Sequence, residues 1–541
     1  MDISKTDLPK LLGELNAIGI ALSAEKDHRR LLEMILIRAK EMTNADGGTL
    51  YSRTEDDKLK FEIMHTDSLF IHMGGTGGEE IPFYPVRLFK EDGTPNKHNV
   101  AACAVLENKT INIPDAYSSE DFDFSGTRSF DQKTSYRSQS FLTVPMTNHE
   151  NNIIGVLQLI NAKDLKTGKV KPFSELDQQL VESLASQAAV TITNKSLIDA
   201  QKKLFDALIQ LIANAIDEKS PYTAGHCRRV PVLTNLIANA ACKIDFGPLK
   251  EFTMTEEEKY ELDVAAWLHD CGKITTPEYV VDKATKLETI FDRIHLVEAR
   301  FEVLKRDAEI SALKRKLAAL GVAKLEDGEL IAELDRLESS QQFIRTCNIG
   351  GEAISDEAIK KIDQIAGYQW RTVDGQPEYL LNEEECQNLK IGRGTLSCRE
   401  REIINNHVAV TIKMLESLPY PKHLKCVPEY AGGHHEKMDG TGYPNNLKKE
   451  DMSVPARMVA IADVFEALTA KDRPYKKAMS LSKSLTILGR MKLDHHVDPD
   501  LFDVFMWDKV YLKYAQEHLD PEQIDDFDVN NIPGYVPLPA N

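Results

Sequence analysis

Apolar positions recur along this chain with two different periods. From Arg29 to Met42, Leu31, Leu32, Ile35, Leu36 and Ala39 recur at a spacing of three to four, which predicts an amphipathic helix. Residues 62–70 and 138–145 read as strands. SFLTVPM, the turn NHENN (148–152) and IIGVLQLIN (153–161) together predict a hairpin with apolar alternation in its second strand. Up to about residue 200 the organisation is therefore mixed α/β. Residues 173–217 contain neither proline nor glycine and read as one long helix. On it Leu197, Leu204 and Leu211 stand seven apart, with Leu208 between the last two, the spacing of a short coiled-coil seam. That helix either pairs with a second copy and relays a signal, or lies on its own domain. Beyond 217 the pattern is helical. Residues 285–345 are rich in Leu, Ala, Glu, Lys and Arg, and Gly321 breaks them near the middle, which predicts a helical hairpin. Residues 347–400 show no clear period, and the proline-bearing end, 520–541, reads as extended.

Composition narrows the class. The 541 residues carry 66 Lys and Arg against 85 Asp and Glu, a net charge of −19. Such a balance argues against a protein built to hold DNA, RNA or anionic lipid, although a local basic pocket can still take a small phosphorylated ligand. No run approaches 18 uncharged apolar residues, so no membrane span is expected. The opening MDISKTDLPKLLGELNA lacks a continuous apolar core and does not read as a signal peptide. The eight cysteines are scattered without a CxxC pair, so neither a disulfide framework nor a zinc finger is indicated, and a reducing cytoplasm is the expected location.

Histidine and aspartate carry the chemistry. In LDVAAWLHDCGKI (262–274), His269 and Asp270 end a helical apolar run, and Lys273 follows in a turn. In YAGGHHEKMDGTGYP (430–444), His434 and His435 are adjacent, read as helical, and lead into a turn-rich loop. REREIINNH brings His407 onto a helix, RMVAIAD ends an apolar helical run with Asp463, and EKSPYTAGHCRR supplies His226. An apolar helix that delivers one carboxylate inward implies a ligand or partner, because an unpaired buried charge is costly. Imidazole and carboxylate without thiolate suit iron, manganese, zinc or nickel. Two such ions can activate water and neutralise a phosphodiester. His495 and His496 precede a helix start capped by Asp498 and read as structural.

The segment from about 200 to 520 resembles the HD-GYP family, a branch of the HD phosphohydrolase superfamily. The carriers are HDCGK (269–273), HHEKMDGTGYP (434–444), Asp463 and KDRPYKK (471–477). The resemblance implies an all-helical bundle that hydrolyses a cyclic dinucleotide with the help of two divalent metal ions, iron or manganese first, with nickel and zinc as alternatives. It implies His226, His269, Asp270, His407, His434, His435 and Asp463 as metal ligands, and Asp270 and Lys273 as catalytic residues. Lys273, Gly442, Tyr443, Pro444, Arg473 and Lys476 would contact substrate. Some family members hold a third metal through a glutamate four residues before the first histidine; here Tyr222 stands there, which favours two metals. The distance from Asp270 to His407 exceeds what the family core needs, so residues of about 282–398 read as an insertion, either a packing ornament or a lid or docking element.

The first part resembles a GAF domain, carried by VLENKTINIPDAY (105–117) and FDQKTSYRSQSFLTVPMTNHENNIIGVLQLINAKD (130–164). The resemblance offers Phe130, Asp131, Thr134, Asn161 and Lys163 as contacts for a small-molecule or cyclic-nucleotide ligand, or else an empty, dimerising domain. The expected architecture is thus multidomain. An N-terminal helix (1–27) precedes an α/β GAF domain (28–172) whose antiparallel sheet is flanked by helices. A linker helix (173–217), an all-α HD-GYP bundle (218–520) and a tail (521–541) follow. The expected activity converts cyclic di-GMP to linear pGpG, and on to GMP in some members of the family. The alternatives are a 3′,3′-cyclic GMP–AMP phosphodiesterase and a non-hydrolysing cyclic-dinucleotide receptor or scaffold. A homodimer through the linker helix is expected.

Overall fold

The computed structural model describes residues 8–25, 27–219, 225–318, 328–350, 353–372, 374–471 and 478–538. Tyr222, Gly321, Arg473 and Lys476 lie outside these residues. The chain forms two compact units, Met1–Phe205 and Asp206–Asn541, and the division falls inside the Glu175–Asp217 helix.

The first unit is built on an antiparallel sheet. Its strands are β1 (Ala45–Arg53), β2 (Lys58–Thr66), β3 (Ile71–Gly74), β4 (Val86–Arg87), β5 (Ile111–Ile113), β6 (Phe141–Thr147), β7 (Ile153–Lys163) and β8 (Val170–Lys171). The order is β3-β2-β1-β7-β6-β5, with β4 on β2 and β8 on β7. The central register sets Leu50 opposite Leu157 and Gly48 opposite Leu159. The predicted hairpin is β6–β7, and its turn is held by the Asn148 carboxamide, which accepts the Glu150 and Asn152 N–H groups. β7 is buried along nearly its whole length rather than alternately. The reason is that helices cover both faces. On one side, Leu32, Ile35 and Leu36 of the His28–Thr43 helix and Val181, Leu184 and Ala188 of the long helix pack on Leu50, Val144, Leu157 and Leu159. On the other side, Ala101, Ala102 and Val105 pack on Tyr51, Leu59 and Val156. The His28–Thr43 helix starts where Asp27 accepts the Arg30 N–H and stops where Asn44 turns left-handed at φ 51°.

The second unit is mostly helical. The Glu256–Leu268 helix begins with a capping box of Thr255 and Glu258. It packs between the His226–Ala241 and Val427–Gly432 helices, and the Val454–Thr469 helix completes that layer. The predicted hairpin appears as the Ile294–Ala318 and Gly328–Asn348 helices. The insertion has its own small core, with Leu287, Val297, Phe301, Ile344, Ile362 and Leu389 buried together. It also contains a two-stranded ladder, Gln369–Arg371 with Pro377–Tyr379, too short to leave a period in the sequence. Among the described residues no helix is long and apolar enough to cross a membrane.

Candidate metal centre

Four helices and two turns of the second unit deliver its histidines and aspartates to one place. His226 is the first residue of its helix. His269 and Asp270 stand where the Glu256–Leu268 helix tightens into the turn Cys271–Thr275. His407 lies in the middle of the Cys398–Glu416 helix, and Asp463 lies on the apolar Val454–Thr469 helix. His434 and His435 are not helical, as the sequence suggested; their helix ends at Gly432, and both sit in the turn that follows. Two glycines make this approach feasible. A Cβ on Gly272 would stand 2.0 Å from the His407 carbonyl oxygen, and the Gly272 N–H donates to Thr411 at 2.9 Å. The HD turn is thereby laid directly on the helix that carries His407. A Cβ on Gly442 would fall 2.3 Å from the Lys437 nitrogen, so only glycine lets the GYP loop fold back on the histidine pair.

The donor atoms fall into two groups, His226 with His269 and Asp270, and His407 with His434 and His435. Within each, the ligand atoms lie within 4.8 Å of one another. Asp270 joins them. Its Oδ2 is 3.4 Å from the Nε2 atoms of both His226 and His269, and its Oδ1 is 3.2 Å from His407 Nε2 and 3.8 Å from His434 Nε2. Asp463 Oδ1 faces the first group, 3.2 Å from His226 Nε2 and 3.7 Å from His269 Nε2.

The orientation of the rings is fixed from outside. Nδ1–H of His269 donates to the Ala266 carbonyl at 2.8 Å, that of His434 to Ala431 at 2.5 Å, and that of His407 to Ile404. Nδ1–H of His226 donates to the Glu466 carboxylate, which is fully buried and also accepts Arg229 Nε–H at 2.6 Å. Each of these four rings therefore presents Nε2 to the centre, the atom a metal ion would bind in place of a proton. Asp270 Oδ1, His407 Nε2 and His434 Nε2 are buried and lack a hydrogen-bond partner among the described residues. Orphaned buried acceptors are expensive unless something binds them. A cluster of inward Nε2 atoms around a shared carboxylate fits divalent cations and fits little else.

The charges are unevenly distributed. Burial opposes charge on His226 and His269, but Glu466, Asp270 and Asp463 outweigh it. His226 is held well above the usual histidine range, and His269 is pushed up to about 9. At the other pair burial, helped by the neighbouring histidines, outweighs Asp463 and Asp270; it sends His434 well below that range and His435 to about 4, so that pair is neutral at pH 7. Burial works against the carboxylates of Asp270 and Asp463, yet neighbouring cations hold both well below the usual range.

Lys273 donates to Asp270 Oδ2 at 2.5 Å. The turn bearing Lys273 is gripped from the linker helix. Lys219 Nζ donates to the carbonyls of Lys273, Ile274 and Thr276 at 3.0, 2.6 and 2.6 Å. Two residues earlier, the Asp217 carboxylate accepts the Gly225 N–H at 3.0 Å and the Cys227 N–H at 3.4 Å, fixing the start of the His226 helix. Tyr443 stacks on His435 with ring centroids 4.9 Å apart, and Gly442 and Pro444 flank it in the loop. The loop is held by Glu436, buried, which accepts the Asn445 and Leu447 N–H groups at 2.7 and 3.0 Å. His495 contributes a backbone carbonyl to the Met438 N–H at 2.9 Å, and Asp498 caps its helix as expected.

The sequence-derived ligands, Lys273 and the GYP residues thus converge. Glu466, Arg229, Glu436, Asp217 and Lys219 were not singled out from sequence. The signal available for Glu466 was its position one turn after Asp463 on the same inward face.

In the first unit, the residues offered as ligand contacts are bonded within the domain. Asp131 accepts Tyr117 Oη–H at 2.7 Å and Ser138 N–H and Oγ–H at 2.8 Å each. Asn161 accepts the Gln139 and Ser140 N–H groups and donates to Tyr136 Oη and the Arg137 carbonyl. Lys163 donates to Asp46 and to Ser68 Oγ. Thr134 Oγ1 donates to the Phe130 carbonyl at 2.8 Å, one turn back in their helix.

A helical unit with this bridged histidine–aspartate centre, following an antiparallel sheet covered by helices, defines the class as a GAF domain joined to an HD domain. The GAF domain model matches residues 27–192 and the HD domain model matches residues 377–501. The HD and GYP signatures meet in this one centre, the combination by which the sequence resembles the HD-GYP family. The 3'3'-cGAMP-specific phosphodiesterase 3 of Vibrio cholerae serotype O1 is 25% identical over 339 residues, covering 61% of this chain and 46% of that protein. The cyclic di-GMP phosphodiesterase response regulator RpfG of Xanthomonas campestris pv. campestris is 35% identical over 212 residues, covering 39% of this chain and 49% of that protein. In both, the matched stretch spans less than half the length of the relative. The GAF domain of an Acinetobacter phosphoenolpyruvate-protein phosphotransferase is 15% identical and covers 35% of this chain and 98% of its own, with a TM-score of 0.25.

Proposed function

We propose that this chain is a metal-dependent phosphodiesterase that opens cyclic di-GMP to linear pGpG under control of its GAF domain. The observation that carries this reading is the pair of three-ligand groups joined by Asp270, with buried acceptors lacking partners where Asp270 Oδ1 faces His407 and His434. His226, His269, Asp270 and Asp463 would hold one divalent ion, and Asp270, His407, His434 and His435 the other, with iron or manganese the ions we favour. When bound, two such ions supply Lewis acidity and neutralise phosphate charge.

The chain's own residues do the rest. Lys273 stays an ammonium beside Asp270, because nearby carboxylates outweigh its burial and raise its pKa. It can donate to a phosphate oxygen as negative charge develops there. Tyr443 and the glycines beside it form a wall over His435 that limits water and orients the ring of the substrate. In the balanced reaction a water oxygen bonds to phosphorus, the P–O3′ bond breaks, and one proton passes to the departing 3′ oxygen. Arg473 and Lys476 remain proposed substrate contacts.

A second reading, hydrolysis of 3′,3′-cyclic GMP–AMP, is favoured by the substrate for which the Vibrio relative is named. One assay separates the two. Protein prepared without oxygen and loaded with Fe(II) or Mn(II) is incubated with each cyclic dinucleotide, and products are followed by chromatography with mass detection. We expect linear dinucleotide from the intact protein and none from His269→Ala/Asp270→Ala, with cyclic di-GMP cleaved faster. Faster cleavage of the mixed substrate selects the second reading. Binding without turnover in either metal overturns both.

A further inference from the structure

The insertion and the Cys398–Glu416 helix enclose a cleft of about 1120 Å³, to which none of the metal-centre residues contributes. Cys398, at its wall, is nine residues before His407, roughly 13 Å along the helix. The cleft is the size of small-ligand sites. Arg393, Arg399, Arg401 and Lys390 line it. Its carboxylates are already engaged: Glu400 accepts from buried Lys283 at 2.9 and 2.8 Å and from the Ser397 N–H at 2.8 Å, and Glu384 pairs with Arg293 at 3.2 Å. Lys390 pairs with Asp363. Arg401 donates to the Arg393 carbonyl at 3.0 Å, and among the described residues no carboxylate pairs with Arg393, Arg399 or Arg401. Three guanidinium groups without counter-charges among the lining residues are conspicuous in a chain with a net charge of −19. Tyr279 and Ile290, also among the lining residues, are 44% and 96% exposed.

We propose that this cleft is a second anion site, which binds a nucleotide through its phosphates on Arg393, Arg399 and Arg401 and its base against Tyr279 and Ile290. Guanidinium forks match phosphate oxygens in pairs, and a planar base fits an exposed aromatic and aliphatic flank. A compact ligand is required, because an extended polyanion would meet the acidic remainder of the surface. The site accounts for the insertion, which builds one wall of it. It stands independently of the hydrolysis reading, because it needs neither the metals nor turnover.

The test uses the full chain stripped of metal with EDTA, so that the metal centre does not hold phosphate. Cyclic di-GMP, GTP and inorganic pyrophosphate are titrated separately by calorimetry. We expect at least one of the two nucleotides to bind one per chain, more tightly than pyrophosphate, and to weaken as salt is raised. Arg393→Gln/Arg399→Gln should weaken it by roughly tenfold or more, the scale of losing charge-assisted hydrogen bonds. Metal content after reloading, measured on the same variant, should stay at the wild-type level. Which nucleotide binds distinguishes a substrate-class ligand from a mononucleotide effector. The proposal is overturned if neither nucleotide binds, if binding survives the double substitution, or if pyrophosphate binds as tightly as the nucleotides.

Discussion

Glu466 shows how much of a metal centre lies one residue behind its ligands. Its carboxylate joins His226 to Arg229, and that contact directs His226 Nε2 inward. Glu466→Gln keeps the shape and one acceptor oxygen but removes the charge that favours the required tautomer. Partners of this kind typically contribute 10–100-fold to metal affinity. We therefore expect a chelator competition with Mn(II) to show roughly that loss, while the far-ultraviolet circular dichroism of the metal-free protein stays unchanged. Unchanged metal affinity would remove Glu466 from the centre. Three of the proposed ligands stand out in sequence because each breaks a local rule: His269 and Asp270 end an apolar helical run, and Asp463 is a carboxylate on an otherwise apolar helix. Glu466 breaks the same rule one turn later. It went unread because a carboxylate with a buried cation partner and a carboxylate facing water look alike in one dimension.

At the scale of elements, the GAF sheet carries an ion pair between strands that is buried at its carboxylate end. Asp46 of β1 is buried and accepts Lys163 of β7, Ser68 Oγ at 2.6 Å and Tyr136 Oη at 2.5 Å. Burial raises its pKa, but those three partners outweigh burial and hold it below 3.8. A carboxyl group depressed in the fold stabilises it above its unfolded pKa, and that contribution disappears as the pH falls through the folded value. Lys163→Met removes the cation and leaves the burial, at an expected cost of about 1–3 kcal/mol at pH 7. In urea unfolding followed in the first unit, we expect wild type to lose this contribution as the pH falls, the variant, which lacks it, to lose less, and the two curves to converge once Asp46 is protonated in both. A constant difference down to acid pH would mean that the lysine acts by packing alone. Most elements were legible because their period is regular: the 28–43 helix, the β6–β7 hairpin and the 43-residue helix follow directly from it. The His434–His435 turn was not, because Ala431, Gly432 and Gly433 are compatible with helix until Glu436 takes the N–H groups of the GYP loop. The Gln369–Arg371 ladder was not, because three residues carry too few alternations.

For the whole molecule the long helix is the element with unmet demands. Ile209, Ala213 and Ile216 are buried at helical spacing, whereas Leu197, Leu204, Leu208 and Leu211 on its other face are 47–64% exposed. Four leucines in a heptad-spaced row resemble half of a seam. Although the chain carries −19, the segment from 197 to 212 has two aspartates and two lysines, so a second copy meets no net repulsion there. We therefore infer a homodimer through this face. Sedimentation of the full chain should show a dimer, and Leu204→Glu/Leu211→Glu should convert it to monomer with its metal content retained. A monomeric wild type would overturn the pairing. The same variant also tests the relay. The helix ends in Asp217, followed by Lys219, and together these hold the start of the His226 helix and the turn after Asp270. A displacement of that end would shift His226 and the turn that follows the shared Asp270, whereas Asp217 and Lys219 do not hold the segments bearing His407, His434 and His435. If the seam governs activity, the monomeric variant must change kcat with metal content constant. An unchanged kcat in the monomer would confine the helix to assembly and leave control of the centre to Lys219 and Asp217 within each chain.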